Sequence, residues 1–173
     1  VKPGCDGGQP NCQVYRGLGV RDTPTAMSYG SDPATAGVIT HTMTCTFTDG
    51  NGCVNGAADD MEIFALPVVA FTAPADLCVD AGVQAGLGGG TPTGGVYSGT
   101  GVTDDANGMT YSFDPATAGV GTHTITYTFT DGNSCVNSAA DDVEIFALPV
   151  VAFTAPADLW VDAGVQAGLG GGT

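Results

Sequence analysis

An all-β protein built of tandem small domains is predicted by three observations on the sequence. The first is a repeat: ALPVVAFTAPADL begins at Ala65 and again at Ala147, an offset of 82 residues, and that offset aligns Val1 to Thr91 with Val83 to Thr173 without a gap. About 66 of the 91 aligned pairs are identical, so these are copies of one unit. A unit of about 80 residues is the size of one small domain. The second observation is strict alternation in THTITYTFT, Thr122 to Thr130, where His123, Ile125, Tyr127 and Phe129 interleave with threonine. Period two with β-branched residues marks a half-buried strand. The third is dense punctuation by Gly, Pro, Asp and Asn, with Gly 28 and Pro 10 in 173 residues, while no stretch shows helical periodicity.

Each element follows from these rules. THTMTCTFT, Thr40 to Thr48, repeats the alternating strand. After it comes DGN, Asp49 to Asn51, and in the later copy Asp131 to Asn133, a hairpin signal followed by the returning strand CVNSAADDVEIF. PVVAFTA from Pro67, LCVDAGVQAG from Leu77, GVYSG from Gly95 and MTYSF from Met109 read as further short strands. Asp32-Pro33 and Asp114-Pro115 read as turn formers. Six or seven strands in such a unit fit an immunoglobulin-like β-sandwich with Greek-key-type antiparallel sheets. The junctions are expected at FALP, which divides the chain into 1–64, a domain lacking its first strands; 65–146, a complete domain; and 147–173, the first strands of a third unit.

Composition excludes several functions. Lys+Arg 3 against Asp+Glu 18 gives a formal net charge of -15, and the cations are Lys2, Arg16 and Arg21 alone. Phosphate binding needs clustered cations, so nucleic acid is not an expected partner. No run approaches the roughly 18 apolar residues of a membrane-spanning helix, so membrane insertion is not expected. Charged residues at 12% are about half the usual quarter, yet 43% hydrophobic residues suffice for a core.

The phrases GGTPTGGVYSGTGVTDDANGMTYSFDPATAGVGTHTITYTFTDGNSCVN and VVAFTAPADLCVDAG resemble the tandem Ig-like, PKD-like repeats of very large secreted surface proteins of Bacteroidetes-type bacteria. The resemblance covers essentially the whole chain. It implies adhesin or stalk repeats at the cell surface, and a disulfide from the cysteine of ADLC to the one after the DGN turn, here Cys78 to Cys135. Closing such a loop stabilises by roughly 3 to 4 kcal/mol. The next copy departs from the pattern, with Trp160 in place of that cysteine.

Six cysteines in a small Gly-rich chain point to an oxidising, extracellular location. Cys5, Cys12, Cys45 and Cys53 all lie in the first unit. Cys45 stands where the later copy has inward-facing Tyr127, so Cys5 or Cys12 can meet its sulfur in the core. Two bridges, or one bridge with buried thiols, both stand open. Zinc is disfavoured, since no cysteine pair has the CxxC spacing.

No catalytic set emerges, so the protein is not expected to be an enzyme. His41 and His123 are one repeat position, at a strand start where a sandwich places a hydrogen-bonding side chain. GLGGGT, Gly86 to Thr91, is followed by Pro92 and a strand pattern, not by a helix and a Lys, so its glycines serve a turn rather than a phosphate. No cofactor is expected. Asp59-Asp60, Asp104-Asp105 and Asp141-Asp142 with the turn residues Asp49 or Asp131 are the one candidate for Ca²⁺, and Asp131, Asp141 and Asp142 are its weak ligand set. The other reading is solvated turn carboxylates that keep the surface soluble.

The expected function is a structural repeat protein of an extracellular filament, stalk or surface fibre; the alternative is an adhesin segment binding glycans or a surface through sandwich-end loops. Its expected partners are copies of itself in a head-to-tail polymer or neighbouring repeats of the same chain. In the polymer, the tail of one chain supplies strands to the first domain of the next, with Trp160, Val150, Phe153 and Val161 as apolar contacts. Cys53 would then bond within its own domain, and Arg16 and Arg21 would meet the acidic tail.

Overall fold

The computed structural model describes residues 14–22 and 29–155. The chain divides into two compact units at Pro67–Val68, the end of the FALP phrase, with Asp131–Cys135 grouped with the first. Both are all-β apart from two four-residue helices. Among the described residues no helix is long and apolar enough to cross a membrane.

The first unit contains β1 (Val14–Arg16), β2 (Val20–Asp22), β3 (Tyr29–Ser31), the short helix α1 (Pro33–Ala36), β4 (Thr40–Thr48) and β5 (Val54–Glu62). β1, β4 and β5 form one antiparallel sheet in that order, and β2 pairs with β3 in another. The second unit contains β6 (Leu77–Cys78), β7 (Gln84–Leu87), β8 (Val96–Ser98), β9 (Val102–Asp104), β10 (Tyr111–Phe113), α2 (Pro115–Ala118), β11 (Gly121–Thr130) and β12 (Val136–Phe146). Here a four-stranded sheet runs β6-β12-β11-β8 and a three-stranded sheet runs β7-β10-β9. Every pair is antiparallel except β6 on β12, which is parallel.

One core serves both sheets of the second unit. Tyr97, Ile125, Tyr127, Val143 and Ile145 come from the four-stranded sheet and Tyr111 and Phe113 from the other, all buried. The alternation in β11 places Ile125 and Tyr127 in this core at 0% exposure and turns Thr122 and Thr124 to solvent. The Asp131 carboxylate closes the hairpin by accepting the N–H groups of Asn133 and Cys135 at 2.8 and 2.9 Å, and Asp49 does the same for Asn51 and Cys53.

Four expectations change. PVVAFTA is not a regular strand: Ala70 makes an isolated bridge to Thr91, and side chains replace the ladder thereafter. The N–H of Ala73 donates to Asp141 Oδ2 at 3.0 Å, and the N–H of Glu144 donates to Asp76 Oδ1 at 2.9 Å. LCVDAGVQAG splits into β6 and β7, which lie in different sheets, because the chain turns between them. β2 and β9 are strands too short for a periodicity signal. Asp32 and Asp114 open helices rather than simple turns: each carboxylate accepts an N–H two residues on and the hydroxyl of Thr35 or Thr117, with Pro at the first helical position. Gly19 and Gly101 press against these helices at positive φ; a Cβ there would meet Ala36 at 2.7 Å or Ala118 at 2.9 Å.

Candidate assembly site

The second unit shows how a unit is closed along the outer edge of β12. From Ala73 to Val79 the chain runs beside β12 in the same direction, and Val69, Phe71, Ala73, Leu77 and Val79 pack against the core. The Phe71 ring stands edge-on to Tyr97 at 5.8 Å and to Tyr111 at 6.3 Å between centroids. Polar anchors flank it: Ala73 N–H on Asp141 and, at the far end, Val79 N–H on the Phe146 carbonyl at 3.0 Å. The Asp141 carboxyl is held below its ordinary value near 3.8, first by the Ala73 N–H and then by that of Asp142.

That depression has a sign. The unfolded chain takes up the proton first as pH falls, so this stabilisation is complete above about pH 4 and lost as pH falls through the folded value. Asp141→Asn is expected to flatten the acid limb of the second unit's melting curve between about pH 2 and pH 7. An unchanged limb would contradict this reading.

The first unit carries the same face without that covering segment among the described residues. By the repeat, Tyr15 stands for Tyr97, Met43 for Ile125, Cys45 for Tyr127, Asp59 for Asp141 and Met61 for Val143. These five line a cleft of about 450 Å³ together with Thr44, Ala57, Ala58 and Asp60. Ile125, Tyr127 and Val143 are fully buried, whereas Met43, Cys45 and Met61 are half-buried. Asp59 Oδ1 accepts the N–H of Asp60 at 3.0 Å, as Asp141 Oδ1 accepts that of Asp142. No described N–H takes the Ala73 place at Asp59. The repeat offset is the signal that finds this cleft; reading Asp59 only as half of an acidic pair misses it.

The cysteines require a correction. Cys53, Cys78 and Cys135 are free thiols, and Cys45 is disulfide-bonded. Cys5 and Cys12 lie outside the described residues. A Cys78 to Cys135 bridge is excluded by register: Cys78 pairs with Phe146 at one end of β12, while Cys135 precedes Val136 at the other. Those 11 residues span about 35 Å, against a Cα separation of at most about 7 Å for a disulfide. Cys53 has no bond within its domain either. Alkylation without reductant, followed by peptide mapping, is expected to label Cys78 and Cys135, and Cys78→Ser should leave the melting temperature unchanged. A linked peptide pair would refute the register.

The calcium candidates do not converge. Asp141 and Asp142 point to opposite faces of β12, to Ala73 and to the Thr124 hydroxyl at 2.7 Å, and Asp131 sits in the turn about 17 Å along the strand. Among the described residues no group of three or more potential ligands gathers. Each histidine holds a corner: His123 Nε2 donates to the Gly119 carbonyl at 2.8 Å and His41 Nε2 to that of Gly37 at 3.1 Å. Gly90 of the GLGGGT run packs on the Tyr127 ring, so close approach as well as turning fixes that glycine. Val150 and Phe153 are 95% and 72% exposed, and Trp160 and Val161 lie outside the described residues.

Compared with known proteins, the chain matches no protein-family model and no curated protein.

Proposed function

We propose that the chain is a structural repeat protein of an extracellular bacterial filament, stalk or surface fibre, made of immunoglobulin-like sandwiches assembled head to tail or as a continuous array. One observation carries this reading: the element series β8 to β12 recurs as β1 to β5 at the 82-residue offset, down to the capped helix and the histidine corner. Such recurrence suits a part used many times in line, where each unit contacts its neighbours. Support also comes from what the polar side chains do. The histidines and the Asp32, Asp49, Asp114 and Asp131 carboxylates bond their own backbone, so they hold turns rather than present chemistry.

Electron microscopy of the native material tests it. Fibres with an axial repeat of one or two units are expected; dispersed globular particles would overturn the reading. Saturable glycan binding lost on loop substitution would favour an adhesin instead.

A further inference from the structure

We infer that Asn137 and Asp141 close the outer edge of β12 to strand addition, a guard that keeps near-identical repeats from pairing edge to edge whether or not the native material is fibrous. The hairpin fixes which backbone groups face that edge. Asp131 N–H bonds the Cys135 carbonyl, and only every second pair of an antiparallel hairpin exchanges N–H and C=O groups. Asn137, Ala139, Asp141 and Val143 therefore bond β11, while Ser138, Ala140, Asp142 and Glu144 turn their backbone groups away from it. Described side chains take three of those four outward N–H groups. Asn137 Oδ1 accepts that of Ser138 at 2.9 Å, Asp141 Oδ1 that of Asp142 at 3.0 Å, and Asp76 Oδ1 that of Glu144 at 2.9 Å. The fourth, Ala140, follows Ala139, whose side chain has no acceptor to offer.

The two bonds from a residue to its successor recur in β5. Asn55 Oδ1 accepts the N–H of Gly56 at 2.9 Å and Asp59 Oδ1 that of Asp60 at 3.0 Å, at the repeat offset. Such a bond needs Asn or Asp standing one place before an outward N–H, and both copies set that pair four residues apart. The second unit shows the consequence. Its chain runs beside β12 from Ala73 but joins the ladder only at Leu77 and Cys78, and the Ala73 N–H donates to the Asp141 side chain rather than to a β12 carbonyl. A strand approaching this edge meets carbonyls, yet must displace side chains to reach the N–H groups, so only half of a ladder is on offer. The hazard being guarded against is mispairing between like sequences, and about 66 of the 91 aligned pairs here are identical.

The test uses the full chain. Asn137→Ala with Asp141→Ala removes both acceptors, whereas Asn137→Asp with Asp141→Asn exchanges them, keeping the net charge and an oxygen beside each N–H. Both pairs give up the Asp141 carboxylate that Ala73 bonds, so the difference between them reads the edge. Asp142→Ala controls for the one charge that the alanine pair loses. Sedimentation is expected to show the alanine pair associating roughly tenfold or more tightly than the exchanged pair, with amide hydrogen exchange at Ser138, Ala140 and Asp142 slowing as concentration rises. Equal association of the two double variants, association without protection in β12, or equally strong association of Asp142→Ala overturns the inference. The unaltered chain gives an independent readout should the alanine pair fail to fold. There the Ser138 and Asp142 N–H groups are expected to exchange several-fold more slowly than that of Ala140, and equal rates would mean that the side chains do not hold the edge.

Discussion

Gly95→Ala is expected to destabilise the second unit by roughly 3 kcal/mol or more, a large part of the 5–15 kcal/mol that holds a typical domain. A Cβ at Gly95 would overlap the Thr128 carbonyl oxygen and come within 2.5 Å of Tyr127 Cζ. Neither can yield. Thr128 is backbone in the four-stranded sheet, paired with Val96, and the Tyr127 ring is fully buried with its hydroxyl bonded to the Pro92 carbonyl and to the Gly95 N–H. Gly90 lies against the same ring, where a Cβ would come within 2.6 Å of Cγ, so Gly90→Ala should act in the same direction. Urea unfolding of both variants measures the effect. Gly132→Ala is the control, because nothing lies within 4 Å of its Cβ position, and a change within about 0.5 kcal/mol is expected. If Gly95→Ala matches that control, the packing described here is wrong. By the repeat, Gln13 and Cys45 take the positions of Gly95 and Tyr127 in the first copy, so a bulky residue replaces the glycine where a small one replaces the tyrosine.

The core tyrosines should respond to loss of their hydroxyls with opposite signs. Tyr97 Oη accepts the Gly90 N–H at 3.0 Å and donates to the Met109 carbonyl at 3.2 Å. Tyr97→Phe strands a buried N–H and is expected to cost about 1–3 kcal/mol. The Tyr111 hydroxyl is buried with no hydrogen-bond partner among the described residues, so Tyr111→Phe removes an unsatisfied group and should stabilise by about 1 kcal/mol. Alkaline titration gives a second readout. Burial, with the neighbouring Tyr97 second, pushes Tyr111 up from 10.0 to about 12. The unfolded chain loses that proton first, so stability is complete below about pH 10 and falls as pH rises toward about 12. Tyr111→Phe should remove that part of the alkaline loss. Destabilisation of Tyr111→Phe to the level of Tyr97→Phe would mean that the hydroxyl has a partner.

Much of this architecture was legible in local pattern. The alternating strands at Thr40 to Thr48 and Thr122 to Thr130 and the Asp-Gly turn that follows each are short-range signals, and each pair is a hairpin in the structure, at the 82-residue offset. Alternation also selected Ile125 and Tyr127 for the core, because a strand buried on one face has no other register that hides them. The histidine corners follow from position in the same way. What local pattern misjudged depends on partners far along the chain. PVVAFTA looks like a strand, yet its Ala73 N–H pairs with the Asp141 side chain, and a side-chain acceptor so distant leaves no mark on periodicity. Cys78 and Cys135 look paired until the parallel register of β6 on β12 sets them at opposite ends of one strand. The cleft of Tyr15, Met43, Asp59 and Met61 is a property of a face, gathered from three strands, and only the folded second unit shows what such a face takes. Sequence by itself determined the β class and the hairpins, because neighbours in the chain decide them; tertiary structure decided which residues share a face and where Cys78 and Cys135 lie along β12, because those depend on register and on burial across sheets.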